Sequence, residues 1–268
     1  MACDNIVVCP LLPYLLLGVV GGLLAGLFGL GGGIVIVPAL FFLYRWQGFP
    51  NDLIMHMAVG SSLATVAFTS VISTYAHHRH SAVLWPCTLR LIPGIIAGAW
   101  LGAVIADRLP EHALRIGFGF FELLVAAQLA LGFKPSVQRL VPGRLGMAVT
   151  GLIIGAMSAV LGIGGGTLTV PFLLWCNIDM RHAVATSAAC GLPIALAGSI
   201  GFAAIGWGNA ALPPGSSGYV YWPAVISVVA ASTLFAPVGA WLAHTLPVAT
   251  LRRLFAIVVA LVGIRMLA

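Results

Sequence analysis

Charge is what this sequence has least of. Charged residues make up 7% of its 268 positions, against about 25% in soluble globular domains. The chain is 61% hydrophobic, with a mean hydropathy of +1.11. That scarcity excludes an ordinary soluble domain. Regular alternation of apolar and polar residues is missing too, which disfavours a transmembrane β-barrel and leaves a polytopic helical protein. The net charge of +6 is twelve basic residues against six acidic, the basic ones scattered at the ends of apolar blocks. It reads as orientation in a bilayer rather than as a nucleic-acid surface. Cysteines are few: Cys3, Cys9, Cys87, Cys176 and Cys190 show no metal-ligand spacing. Cys3 and Cys9 are near enough in sequence to pair on an oxidising side, and the other three read as apolar packing. No Lys or Arg precedes the first apolar run. The basic n-region of a cleaved signal peptide is therefore missing, and Leu11 onward reads as the first permanent membrane segment. Ser-His-Asp, HExxH and paired-carboxylate constellations are all lacking, so neither an enzyme nor a cofactor is expected.

What the chain does contain is a repeated glycine motif. Gly29-Leu30-Gly31-Gly32-Gly33 runs on to Val37-Pro38, and Gly162-Ile163-Gly164-Gly165-Gly166 runs on to Val170-Pro171. Four glycines, the valine and the proline recur at a constant offset of 133 residues. Consecutive glycines break a helix. Broken backbone at membrane depth is tolerated only where protein buries it or a wet cavity lies beside it. Neither motif carries the Lys-Ser/Thr that follows a Walker glycine run, so a nucleotide loop is excluded.

Apolar blocks run over about 10–44, 53–76, 82–106, 114–132, 145–178, 182–207, 219–243 and 250–268. A straight span needs about 20 residues. The first and fifth blocks are too long for one span, and each contains the glycine motif, so each is expected to split into a helix and a shorter helix. The duplication extends further. Ala58-Val59-Gly60-Ser61-Ser62 matches Ala183-Val184-Ala185-Thr186-Ser187; Trp85-Pro86 matches Trp222-Pro223; Gly102-Ala103 matches Gly239-Ala240; Pro110 matches Pro247; and Leu114-Arg115 matches Leu251-Arg252. A duplicated unit of this size is typical of secondary transporters. If each split block crossed once, basic residues would divide six against five. If each goes in and comes back, Arg79, Lys134, Arg139, Arg144, Arg181, Arg252 and Arg253 share a side, with four opposite. Positive residues favour the cytoplasm, so the second arrangement is preferred, with both termini outside. The expected fold is therefore an all-α polytopic membrane protein of two inverted repeats. Each repeat holds a broken, re-entrant helical hairpin and three transmembrane helices. Residues 1–134 form the first repeat, 135–143 a linker and 144–268 the second.

Glycines before a helix expose unpaired N–H groups, and the helix dipole adds partial positive charge, which suits an anion. Gly31, Gly32, Gly33, Gly164, Gly165 and Gly166 are therefore candidate substrate-binding residues; close helix packing is the alternative. Ser61, Ser62, Thr65, Thr186 and Ser187 could donate to an oxyanion or help hold Na⁺, or simply bond their own helix carbonyls at i−4. Arg90 is a candidate for attracting the anion, with snorkelling to the interface as the alternative. Glu122 is a candidate coupling-ion carrier whose repeat counterpart is the apolar Val259. His77, His78 and His80 have no recognised metal-site spacing and read as a solvated loop, so no metal site is expected. His56 and His182 begin matching helices and read as interfacial. Trp46, Trp85, Trp175 and Trp222 read as an aromatic belt.

The run Phe28-Gly-Leu-Gly-Gly-Gly-Ile-Val-Ile-Val-Pro38, with its echo Leu161-Gly-Ile-Gly-Gly-Gly-Thr-Leu-Thr-Val-Pro171, resembles the signature of the TauE/SafE sulfite exporter family, also called the 4-toluene sulfonate uptake permease family. The segments around Ser61-Ser62, Trp85-Pro86 and Leu251-Arg252-Arg253-Leu254-Phe255 add to the resemblance, which covers nearly the whole chain. It implies a multi-pass permease of the bacterial inner membrane that moves sulfite, organosulfonates or a related sulfur oxyanion, coupled to an ion (H⁺) gradient by alternating access. The expected partners are that small anion and the lipid bilayer. No nucleic acid is expected, and a homodimer is allowed. A passive anion channel and a membrane-embedded metal or redox protein using the histidines and cysteines are the alternatives.

Overall fold

The computed structural model describes residues 8–28, 32–131, 141–245 and 248–268. Cys3, Gly29, Leu30, Gly31, Lys134, Arg139 and most of the expected linker 135–143 lie outside them. Among the described residues the chain forms helices α1 (Val8–Phe28), α2 (Gly33–Trp46), α3 (Ile54–Arg79), α4 (Trp85–Arg108), α5 (Glu111–Leu131), α6 (Arg144–Leu161), α7 (Gly166–Trp175), α8 (Met180–Ile205), α9 (Trp222–Thr245) and α10 (Val248–Leu267). A small antiparallel hairpin, β1 (Ser216–Ser217) and β2 (Val220–Tyr221), sits between α8 and α9. Six helices are long and apolar enough to cross a membrane: α3, α4, α5, α6, α8 and the Trp222–Gly239 part of α9. The molecule is an all-α polytopic membrane protein. The two over-long apolar blocks each split at their glycines, into α1 and α2 and into α6 and α7.

The chain turns back at each break. A Cβ on Gly21 of α1 would lie 3.5 Å from Ile36 of α2, a contact that a continuous helix could not make. In the second break, Gly162 takes φ +66° and ends α6 with a pair of reversed bonds, Gly162 N–H to Ala159 O and Ile163 N–H to Ser158 O. This left-handed cap suits glycine, which has no Cβ to clash. From there α7 runs antiparallel to α8. Gly165 packs on Ser187 and Gly191, whereas Val170 and Leu173 cluster with Ala183, further back along α8.

Small residues set the helix packing. On α4, Cβ atoms added at Gly94, Gly98 and Gly102 would lie 1.9–2.4 Å from carbonyls of α6, and Gly151 and Gly155 of α6 approach α4 equally closely. Between α1 and α9 the same job falls to Gly18, Gly22 and Gly239. Gly18 and Gly22 stand 133 residues before Gly151 and Gly155, and Gly102 stands 137 before Gly239. Backbones this close gain dispersion contacts and Cα–H···O contacts, which drive association where lipid removes the hydrophobic effect between helices.

At the centre, α3 crosses α8 in the opposite direction. Gly60 faces Phe202, Leu63 faces Gly198, Ser70 faces Gly191, and Thr74 Oγ1 donates to Ala188 O, so facing positions descend one helix as they ascend the other. α5 and α10 also run antiparallel, Gly119 against Leu267 and Glu122 against Gly263. The central helix α3 is buried over most of its N-terminal two-thirds, Ile54 to Ser70.

Candidate functional site

The two glycine breaks meet. A Cβ on Gly33 would lie 2.9 Å from both the Gly162 carbonyl and the Ile163 Cα, and one on Gly162 would press on Val37 and Val59. Gly164 faces Val66 of α3, and Gly165 faces Ser187 of α8. The breaks are therefore buried side by side against the α3–α8 crossing. Gly32 begins α2 with φ +75°, whereas Gly165 begins α7 with φ −61°, so the two triplets do not share one backbone conformation. Gly31 lies outside the described residues.

Each candidate hydroxyl has a definite place. Ser61 Oγ accepts from the Tyr44 hydroxyl at 3.1 Å and from the Tyr221 N–H at 3.0 Å. Thr186 Oγ1, the counterpart of Ser61, accepts from the Leu84 N–H at 3.0 Å. Tyr221 and Leu84 each precede the Trp-Pro pair that opens a helix, α9 or α4. Each half therefore uses its central helix to fix the start of a helix in the other half, satisfying an N–H that would otherwise be orphaned. Ser62 Oγ donates to the Gly162 carbonyl at 2.8 Å, tying α3 to the second break. Thr65 donates to its own helix at Ser61 O. Ser187 is buried, with its carbonyl against Gly165.

The remaining candidates lie apart from the breaks. Arg90 is on the exposed face of α4. Glu122 is buried at the α5–α10 interface, and neither carboxyl oxygen has a hydrogen-bond partner among the described residues. His56, read from sequence as interfacial, is instead buried. Its Nε2 sits 3.0 Å from Ala106 O and its ring packs on Tyr219, because the β1–β2 hairpin folds over the start of α3. His182 stays partly exposed beside Asp179, the N-cap of α8, with ring and carboxylate 2.6 Å apart. That contact holds the Asp179 carboxyl below its usual range. His77 and His78 lie in the last turn of α3, and His78 accepts from the Trp85 indole. The thiols of Cys87, Cys176 and Cys190 are unpaired.

Sequence reasoning missed two groups. On the face where α2 ends, Tyr14, Tyr44, Phe49 and Tyr221 pack ring on ring with centroids 4.9–6.2 Å apart, and Tyr14 donates to Gln47. These residues come from distant parts of the chain, so no spacing betrays them. The second group is Ser158, Thr167 and Thr169, which flank the second break with hydroxyls that are buried and unpartnered among the described residues. Both threonines stand in plain view within the motif Gly166-Thr-Leu-Thr-Val-Pro171, and their absence from the first copy was the available signal.

Comparison with known proteins agrees with this architecture. The sequence matches the family described as Sulfite exporter TauE/SafE over residues 14–266. It is 36% identical to a "Probable membrane transporter protein" of Haemophilus influenzae, over 94% of this chain and 96% of that protein. It is 28% identical to a probable membrane transporter protein of Methanocaldococcus jannaschii, over 85% of this chain and 82% of that one. It is also 26% identical to the probable membrane transporter protein YunE of Bacillus subtilis, over 94% and 95%. No solved structure matches the chain. With the glycine motif, the helical architecture and a match spanning nearly every residue in agreement, the chain belongs to the TauE/SafE sulfite exporter family.

Proposed function

We propose that this protein is a secondary transporter that moves sulfite, an organosulfonate or a related sulfur oxyanion across the bacterial inner membrane by alternating access. The observation that carries this reading is the meeting of the two glycine breaks, Gly33 against Gly162 and Ile163, at the crossing of α3 and α8. Helix breaks brought together near the middle of a bundle are how membrane transporters expose backbone donors to an anion without exposing them to lipid. The helices starting at Gly33 and Gly166 direct the positive ends of their dipoles toward this point. Ser61, Ser62, Thr65, Thr186 and Ser187 form the surrounding shell, and Arg90 on the outer face of α4 attracts the anion.

The two halves, 1–134 and 144–268 with 135–143 between them, are inverted repeats. Support comes from the antiparallel crossing of the matching helices α3 and α8, and from the paired contacts Tyr221 with Ser61 and Leu84 with Thr186. Movement of one half against the other opens the site to each side in turn. Coupling is to protons through Glu122. A buried carboxyl group with no cation beside it among the described residues is neutral only when it carries a proton, so gain and loss of that proton accompany transport.

Flux of labelled sulfite or an alkylsulfonate into proteoliposomes tests the reading. Uphill accumulation under an imposed proton gradient is expected, and the absence of flux for every sulfur oxyanion with folded protein would refute the substrate class. Imposing a Na⁺ gradient separately discriminates the coupling ion. Glu122→Gln is expected to lower proton-driven flux at least tenfold while leaving equilibrium binding of the anion within about twofold. Full proton-driven flux in that variant would remove Glu122 from the mechanism.

A further inference from the structure

The duplicated glycine motif is symmetric, but the polar groups around it are not. Ser158 lies in the last turn of α6, four residues before Gly162, and its carbonyl receives the Ile163 N–H that closes the break. Thr167 and Thr169 lie in the first turn of α7, immediately after the triplet. All three hydroxyls are buried without a hydrogen-bond partner among the described residues, and Ser158 and Thr169 are completely enclosed, at 0% exposure. The motif offset of 133 places Ala25, Ile34 and Ile36 at the matching positions of the first copy. Orphaned buried hydroxyls are rare, and each is costly unless something bonds to it. Three within twelve residues, all flanking one break, are not scattered packing accidents.

The start of α2 shows the opposite character. Gly33 abuts Gly162 and Ile163 so closely that any side chain would collide with backbone, and its helix continues with Ile34, Val35 and Ile36. Its chemistry is that of close packing. Side chains on a helix lean toward its N-terminus, so Thr169 leans back over the Gly165–Gly166 turn, where the unpaired N–H groups of α7 emerge.

We infer that the substrate site is one-sided. The second break binds the oxyanion through the enclosed hydroxyls of Ser158 and Thr169 together with the N–H groups opening α7, and the start of α2 at Gly33 serves as the packed wall opposite. This rests on the transport reading above and assigns its specificity. The donors are neutral, so the site suits a small anion with two or more acceptor oxygens and does not require a pairing cation.

The test uses purified full-length protein in detergent, with sulfite and methanesulfonate as probes. Thermal unfolding is followed with and without each anion, and flux is measured in proteoliposomes. The variants are Ser158→Ala and Thr169→Val, singly and combined, with Ile34→Val and Ile36→Val as first-break controls. Each hydroxyl removal is expected to weaken anion binding at least about tenfold, to raise KM for flux, and to leave the anion-free melting temperature unchanged or higher, since an unsatisfied group has been removed. The controls are expected to keep wild-type affinity. If the variants melt lower without anion and retain the full anion-induced shift, the hydroxyls are structural and the inference is overturned. If a wild-type shift survives in the double variant, the one-sided site alone falls. If wild type shows neither shift nor flux with any sulfur oxyanion, the transport reading falls and takes this inference with it.

Discussion

Ser61 and Thr186 hold matching positions in the sequence and make matching bonds in the fold. Their recurrence in both halves marked them as more than incidental. In the folded protein they do the same thing, since each accepts a backbone N–H at the start of a helix in the other half. Ser61→Ala and Thr186→Val should therefore both destabilise, Ser61→Ala the more, since it also strands the Tyr44 hydroxyl. Each leaves an N–H unpaired, at a cost of about 1–3 kcal/mol, and should lower the melting temperature in detergent. The double variant should be close to additive, since the two bonds share no atom. A variant pair that melts as wild type would show that water replaces the hydroxyl. Thr65, by contrast, bonds its own helix at i−4, the common fate of a membrane hydroxyl.

The helix interfaces depend on glycines whose importance sequence alone does not rank. Gly98 of α4 has a carbonyl of α6 only 2.1 Å from where its Cβ would lie, whereas nothing lies within 4 Å of the Cβ position of Gly117 on α5. Gly98→Val should therefore abolish folded protein, and Gly117→Ala should be neutral or slightly stabilising through its better helix propensity. Size-exclusion profiles and thermal melts of the two compare them directly. Most of the element layout was legible beforehand. The apolar blocks coincide with the helices, and the two over-long blocks split at Gly29–Gly33 and Gly162–Gly166 as expected, because glycine runs carry their own conformational signal. The β1–β2 hairpin and the burial of His56 beneath it were not legible. The segment 206–221 carries turn residues, but nothing in it announces that it folds inward onto α3.

For the whole molecule, the decisive quantity is direction in the bilayer. α3 and α8 run antiparallel, and Arg181 reaches the His80 carbonyl where the end of α3 meets the start of α8. With the basic residues of that face, including Arg79, Arg144 and Arg181, toward the cytoplasm, a cysteine at His80 and one at Gly208 should label from opposite sides. In a background lacking the native cysteines, a membrane-impermeant maleimide added to intact cells should modify Gly208→Cys. His80→Cys should react only after permeabilisation. Labelling of both from one side would reverse the inverted-repeat reading while leaving the helix assignments intact.

That this is a helical membrane protein followed from the chain alone, as did the recurrence of residues at fixed offsets, because composition and sequence offsets are linear properties that need no folding to exist. The glycine breaks were marked in the same way, since backbone freedom is written in the residue type. What those breaks touch was settled only by folding. Contact between Gly33 and Gly162, 129 positions apart in sequence, and the lack of partners among the described residues for the hydroxyls of Ser158, Thr167 and Thr169 are consequences of packing. A hydroxyl is satisfied or orphaned by its neighbours in space, which lie on other helices and leave no trace in the local pattern.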